Sequence, residues 1–383
     1  MRTRAAVAVS APAKVNFILR VGPKEADGYH RVFSIVQQLS LSDRLRVTWR
    51  RRGIRLTCRG VPVPAGRNNL VVQAAHRLRR AARVTAGADI ELTKRIPIGA
   101  GLGGGSSDAA AAALALNRLW GTGWSRKQLS AAVARLGSDV ALFLTHPLAV
   151  VEGTGERVRP IIDCPAGLPW WVVVIYPGVV SSTARAYRLL DRSRDQRKHR
   201  GRRKRRFPSQ FPLTPHRREI IIHRFLRTIR RPSQRPWLAN DFEPVIAAAF
   251  PVVREAGWRL ARAGAAGVRL SGSGSAVFGL FPSVRRARAA AVAVRRARPH
   301  WGVWVARPLR HVPSVRAMPV AARSGRSGGS GIGRSFGGRP IGRTSAFGAE
   351  DRGSSPCLRT IIHASLNVAN QRDERTGRLI DET

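Results

Sequence analysis

Between residues 5 and 95 apolar and polar positions alternate in short runs separated by turn residues, a period of two that predicts strands. The runs are Ala5 to Val9, Phe17 to Val21, Val32 to Leu41, Leu45 to Trp49, Ile54 to Cys58 and Asp89 to Thr93. Leu70 to Val84 interrupts them with the spacing of an amphipathic helix. Beyond residue 97 a glycine run opens onto Ala109 to Leu119, whose almost wholly apolar surface predicts a buried helix. Ser125 to Leu136 reads as another, with Ser125 as N-cap and Gly137 as stop. Val150 to Pro160 and Trp170 to Tyr176 are strand-like. Mixed elements without a regular βαβ alternation predict an α+β fold.

At 383 residues the chain exceeds the size of one core, so two lobes with appendages are expected. No apolar run reaches the length of about 18 residues that spans a bilayer, and the basic start meets Lys14 too soon for a cleaved leader. Cys58, Cys164 and Cys357 are widely spaced and odd in number, which fits reduced thiols in a cytoplasm. The net charge of +46 ordinarily points to nucleic acid. Here arginine is spread along the whole chain, while lysine occurs only as Lys14, Lys24, Lys94, Lys127, Lys198 and Lys204. Against that bias Lys14 and Lys94 stand out as places that want a compact ammonium rather than a planar guanidinium, while the other four lysines show no obvious role.

Two segments fall outside the lobed plan. An insertion at about 191–235 holds the basic run Arg197 to Arg206, which reads as an exposed loop because dense like charge does not pack. Only Glu219 to Arg231 within it reads as a helix, and contact with RNA or another polyanion is the alternative to plain solvation. From about Pro313 the chain turns to Gly, Ser and Arg, which predicts a disordered tail. The expected domains are 1–165, 166–312 carrying the insertion, and the tail 313–383.

The chemistry centres on Pro97-Ile98-Gly99-Ala100-Gly101-Leu102-Gly103-Gly104-Gly105-Ser106-Ser107. A glycine loop entering a helix gathers backbone N–H groups and the positive end of the helix dipole on one anion. Gly99, Gly101 and Gly104 satisfy a dinucleotide pattern, yet no acidic residue lies between Asp108 and Asp139 to bind a ribose. A Walker loop needs a lysine after its last glycine, and Gly105 is followed by Ser106.

The loop resembles instead the central motif of the GHMP kinases. Ala11-Pro12-Ala13-Lys14-Val15-Asn16, Asn68-Asn69-Leu70, Leu136-Gly137-Ser138-Asp139-Val140, Asn240-Asp241-Phe242-Glu243 and Leu270-Ser271-Gly272-Ser273-Gly274-Ser275 follow in family order, and together they span about residues 8–310. The resemblance implies a GHMP kinase fold, with a ribosomal S5 domain 2-like N-terminal lobe, a ferredoxin-like C-terminal lobe and a cleft between them. It further implies an ATP-dependent small-molecule kinase of the cytoplasm, with Asp139 as the base and Lys14 stabilising charge on the transferring group. Asn69 and Lys94 align with nucleotide contacts, and Mg²⁺ is expected with ATP, near Ser107, since there is no dedicated acidic metal site. Asp27-Gly28-Tyr29-His30 resembles the branch whose acceptor is a cytidine diphosphate-linked methylerythritol, phosphorylated on its 2-hydroxyl on the way to isoprenoid precursors. Tyr29 and His30 would hold the cytosine, with Asn16 and Tyr187 as further substrate contacts. Homoserine, mevalonate or a sugar are alternative acceptors, and an RNA-binding protein on a kinase scaffold is the reading from another class. The chain departs from the family at Ala141, where proline is common.

Overall fold

Two long antiparallel strands, β1 (Ala6–Lys24) and β2 (His30–Arg50), carry the first sheet. The computed structural model describes residues 6–164, 167–199 and 213–318. Each long strand unites two of the predicted runs, because register shifts at Pro12/Lys14 and Asn16/Ile18 let β1 bend without breaking. Beyond β2 lie β4 (Gly87–Lys94) and, parallel to it, β3 (Ile54–Gly60). The other half of β2 pairs with β5 (Leu148–Gly153), which folds back as β6 (Arg157–Pro160), so the stretch read as a single strand is a hairpin. A second, antiparallel sheet contains β7 (Trp171–Tyr176), β9 (Gly267–Leu270), β10 (Val277–Phe281) and β11 (Gly302–Ala306), in the order β11-β7-β10-β9.

The later half of the chain also supplies the first sheet. Both β8 (Ala239–Asn240) and β12 (Arg316–Met318) pair with β1. Within the stretch expected from residue 313 as tail, Arg316 to Met318 is held as an edge strand, and residues 319–383 lie outside the described residues. All described residues belong to one compact unit. Phe17 of β1 packs 5.5 Å from Phe225 and 5.8 Å from Phe278, joining the two sheets through one core.

Helix α1 (Leu70–Ala81) buries Val71, Ala74, Ala75 and Leu78 and stops before the predicted Val84. Arg83 takes φ 53° there, and the Val84 N–H donates to the Arg79 carbonyl while that of Arg83 donates to Arg80. This is a Schellman closure without its usual glycine, so no glycine marks the end. Helix α2 (Gly104–Trp120) is buried along Ala109 to Ala113, as its small apolar residues predict. α3 (Arg126–Val133) has the expected Ser125 cap, completed by Gln128 as a capping box, and then tightens into a 3-10 turn at Ala134–Leu136. A short α4 (Val140–Leu144) follows. Around the second sheet lie α5 (Thr183–His199), α6 (Pro215–Ile229), α7 (Glu243–Ala249), α8 (Pro251–Arg262) and α9 (Val284–Ala297). The basic segment read as a loop from residue 191 thus starts as helix, since α5 continues to His199; residues 200–212 lie outside the described residues. α6 covers the helical piece expected there, opened by Thr214 and buried through Ile222, Phe225, Leu226 and Ile229. Among the described residues no helix is long and apolar enough to cross a membrane.

A buried ionic group ties β2, β4 and α2 together. Lys94 Nζ bonds to Asp43 and, at 2.8 Å, to Asp108, and all three side chains are buried. Asp43 also accepts the backbone N–H groups of Arg95 and Ile96, whereas Asp108 Oδ1 has no partner among the described residues. Burial therefore pushes the Asp108 carboxyl up to about 8, opposed by the Lys94 charge and aided by that of Asp43. The folded protein keeps a proton that the unfolded chain releases above about pH 4, so this contribution to stability is whole below that pH and lost as pH rises through about 8. Urea unfolding followed from about pH 5 to about pH 8 will show a falling midpoint, with a flatter fall in Asp108→Asn; parallel curves refute the assignment.

Candidate active site

The glycine loop runs from the end of β4 to the start of α2. Gly99, Gly101 and Gly103 hold φ of 62°, 75° and 71°, a region open to glycine and strained for other residues. At Gly101 a Cβ would also stand 2.0 Å from the Ser271 carbonyl oxygen. That close approach lets the loop bond across the fold. Ser271 Oγ donates to the Gly101 carbonyl at 3.0 Å, the Ala276 N–H to Ala100 at 3.0 Å and the Lys14 N–H to Leu102 at 2.9 Å. Ser107 N–H is the first of the helix to reach a carbonyl, that of Gly103. The N–H groups of Gly104, Gly105 and Ser106 have by helix geometry no intrahelical partner and suit an anion.

The loop lines a cleft of about 450 Å³ together with Lys14, Asn16, Asn69, Lys94 and Asp139. Lys14 Nζ, buried, donates to Asn16 Oδ1 at 2.7 Å and lies 3.5 Å from Asp139 Oδ2. Asn16 in turn donates to Ser34 Oγ, which donates to the Ile18 carbonyl, so a short relay fixes the lysine from β1 and β2. Asp139 occupies the N-cap position of α4 yet makes no capping bond. Its carboxylate is turned towards Lys14, with 31% of the side chain exposed to the cleft.

Two predicted nucleotide contacts have local partners. Asn69 caps α1, accepting the Val71 N–H and donating to the Pro64 carbonyl, while it borders the cleft. Lys94 reaches the cleft wall with its ammonium shared between Asp43 and Asp108. Pro97 and the half-exposed Ile98 form the outer wall; Ser107 is buried behind the lining, with an Oγ that has no partner among the described residues.

A second cavity, of about 1490 Å³, adjoins the first: Ser138, Thr154, Thr183 and Tyr187 line both. His30 Nδ1–H donates to the Gly22 carbonyl at 3.0 Å, its Nε2 faces Asp191 at 3.2 Å, and its ring stacks on Tyr187 with centroids 4.7 Å apart. Tyr187 meets Phe242 edge-on at 4.9 Å. Burial, with the carboxylates of Asp139 and Asp191, pushes the Tyr187 hydroxyl up to about 12. Tyr29 stands apart from this stack, exposed on the β1–β2 turn at the cavity rim.

The structure adds residues that the sequence reading did not single out. Asp43 and Asp108 hold Lys94, Ser34 holds Asn16, and Asp191 holds His30. Asp191 was legible in principle: it lies one helical turn after Tyr187, but was assigned to the insertion.

A family description, "GHMP kinases N terminal domain", matches residues 69–146, and "GHMP kinases C terminal" matches 219–300. A 4-diphosphocytidyl-2-C-methyl-D-erythritol kinase of Geobacter sp. (strain M21) is 38% identical over 289 residues, 75% of this chain and 94% of the relative. The enzyme so named in Halorhodospira halophila (strain DSM 244 / SL1) is 36% identical over 315 residues, 82% of this chain and 97% of its own. A crystal structure of 4-(cytidine 5'-diphospho)-2C-methyl-D-erythritol kinase matches with a TM-score of 0.63 at 35% identity, covering 79% of this chain and 100% of the other. Homoserine kinase from Cytophaga hutchinsonii ATCC 33406, at 20% identity and a TM-score of 0.61, shares the fold, over 81% of this chain and 97% of its own. With identity and coverage of that extent added to the glycine loop, the chain belongs to the 4-diphosphocytidyl-2-C-methyl-D-erythritol kinases, within the GHMP kinase family of phosphotransferases.

Proposed function

We propose that this protein transfers the γ-phosphoryl group of ATP directly to the 2-hydroxyl of 4-diphosphocytidyl-2-C-methyl-D-erythritol. The observation that carries this reading is the shared wall of the two cavities: an anion cradle on one side, an aromatic pocket on the other, and the Lys14–Asp139 pair beside Ser138 at the junction. Asp139 takes the hydroxyl proton on its carboxylate, and Lys14 stabilises charge on the group in transit. Asn16 and Ser34 keep the ammonium aimed at that point. The stacked His30 and Tyr187 offer a flat face to a pyrimidine, with Tyr29 at the rim to cover it.

The orphaned Ser107 Oγ beside the start of α2 fits a cation held mainly by nucleotide phosphates. Among the described residues no group of three His, Cys, Asp or Glu side chains could hold a metal by itself. Bound there, Mg²⁺ supplies charge neutralisation to the transferring phosphates. The free thiols of Cys58 and Cys164 support a cytoplasmic setting.

An ATP-dependent assay of the purified protein on the cytidyl substrate, homoserine and mevalonate tests the acceptor. Turnover of homoserine or mevalonate with none of the cytidyl compound would overturn the reading. Asp139→Asn lowers kcat by about 10²- to 10⁴-fold, and Lys14→Met by a similar order, while calorimetry finds ATP still bound. Tyr187→Ala raises KM for the cytidyl substrate by about tenfold through lost stacking and leaves KM for ATP within about twofold. A rise confined to ATP would remove Tyr187 from the acceptor pocket.

A further inference from the structure

We propose that the buried Lys94–Asp43–Asp108 network is a positioning device for the phosphate cradle, gripping the glycine loop at its entry and at its exit. It rests on the reading of that loop as the ATP site. At the entry, Asp43 accepts the N–H groups of Arg95 and Ile96, the two residues before Pro97, and also binds Lys94 Nζ. At the exit, Asp108 on α2 accepts from the same ammonium at 2.8 Å. One nitrogen thus spans the strand that delivers the loop and the helix that receives it.

Three observations favour positioning over direct contact of Lys94 with phosphate. The ammonium is already shared by two carboxylates, on a side chain only 4% exposed. It packs against the helix start: a Cβ on Gly104 would stand 2.8 Å from Nζ. And three left-handed glycines give the loop little shape of its own, so its N–H groups converge only if both ends are held. The charge balance follows the same logic. The Asp43 carboxylate beneath an anion site would oppose phosphate binding, and Lys94 offsets its charge without projecting a free cation, while Asp108, which burial keeps protonated up to about 8, adds an acceptor oxygen and no second charge.

The site also explains a lysine in a chain that otherwise uses arginine. Lys14 and Lys94 are the two buried lysines among the described residues, and they touch adjacent positions of the loop, Gly103 and Gly104. A guanidinium at 94 keeps the charge but exceeds the space under Gly104.

Full-length variants, with ATP affinity measured by calorimetry without acceptor and kinetics measured separately, test the proposal. Asp108→Ala and Lys94→Arg will each weaken ATP binding and raise KM for ATP by about tenfold or more, and lower kcat, with KM for the acceptor within about twofold. Asp108→Asn preserves the shape and an acceptor for Lys94, and will recover most of the loss. Lys94→Arg retains both charges and so carries the test if Asp108→Ala does not fold. A folded Lys94→Arg with unchanged ATP affinity and kcat, or a parallel rise in both KM values, overturns the proposal. If the variants weaken ATP binding but the wild type ignores the cytidyl substrate, the acceptor assignment has failed and the brace stands.

Discussion

The site depends on the chain approaching itself at Gly101 more closely than any side chain permits. With a Cβ position 2.0 Å from the Ser271 carbonyl oxygen, only glycine lets the loop meet the turn between β9 and β10. From that contact follow the bonds of Ser271 to Gly101 and of Ala276 to Ala100, and the proximity of the Gly272 backbone to Lys14 Nζ. A loop of free glycines would otherwise lose on ordering most of what it gained by binding phosphate. The second sheet therefore acts on the proposed nucleotide site by closing the loop from outside.

Ion pairing at the site follows burial. Arg31 with Glu25 and Asp27, or Arg298 with Glu255, lie in solvent where such pairs contribute little. The Lys94 group is dry, and removing Lys94 or Asp43 leaves an uncompensated charge in the core. Such groups are costly as sources of stability, which is reason to ask what else they do. Here the geometry supplies the reason: the network joins the two elements that bracket the loop.

The glycine loop was legible from residue type and spacing, and Lys14 and Asp139 through the resemblance of their motifs to the family; the structure brings that pair within 3.5 Å of each other at the loop's cleft. What remained hidden depends on contacts between distant segments. Asp43 is an ordinary acidic residue until β2 and β4 pair and bring it to Lys94. The end of α1 was misplaced because Arg83 adopts a left-handed turn that residue type does not advertise. Asn240 and Asp241, part of the ordered family motifs, are structural: Asn240 donates to the carbonyls of Leu270 and Gly272, and Asp241 binds Arg20 and the Val21 N–H. Even so, by fixing Gly272, Asn240 supports the same turn that closes the glycine loop.

The two cavities are chemically joined at Tyr187. Its ring stacks on His30, on the side proposed for the acceptor, while its hydroxyl lies in the field of both Asp139 and Asp191. A phenol pushed up to about 12 stays protonated across the physiological range, so it remains a hydrogen-bond donor and does not compete with Asp139 for the proton to be moved. Asp191 orients His30 from the same helix that carries Tyr187. One helix thus sets the stack proposed for the pyrimidine, while β1 sets the lysine beside Asp139. In the proposed transfer α5 and β1 must stay in register, and Arg194 ties them by donating from α5 to the carbonyls of Val21 and Gly22.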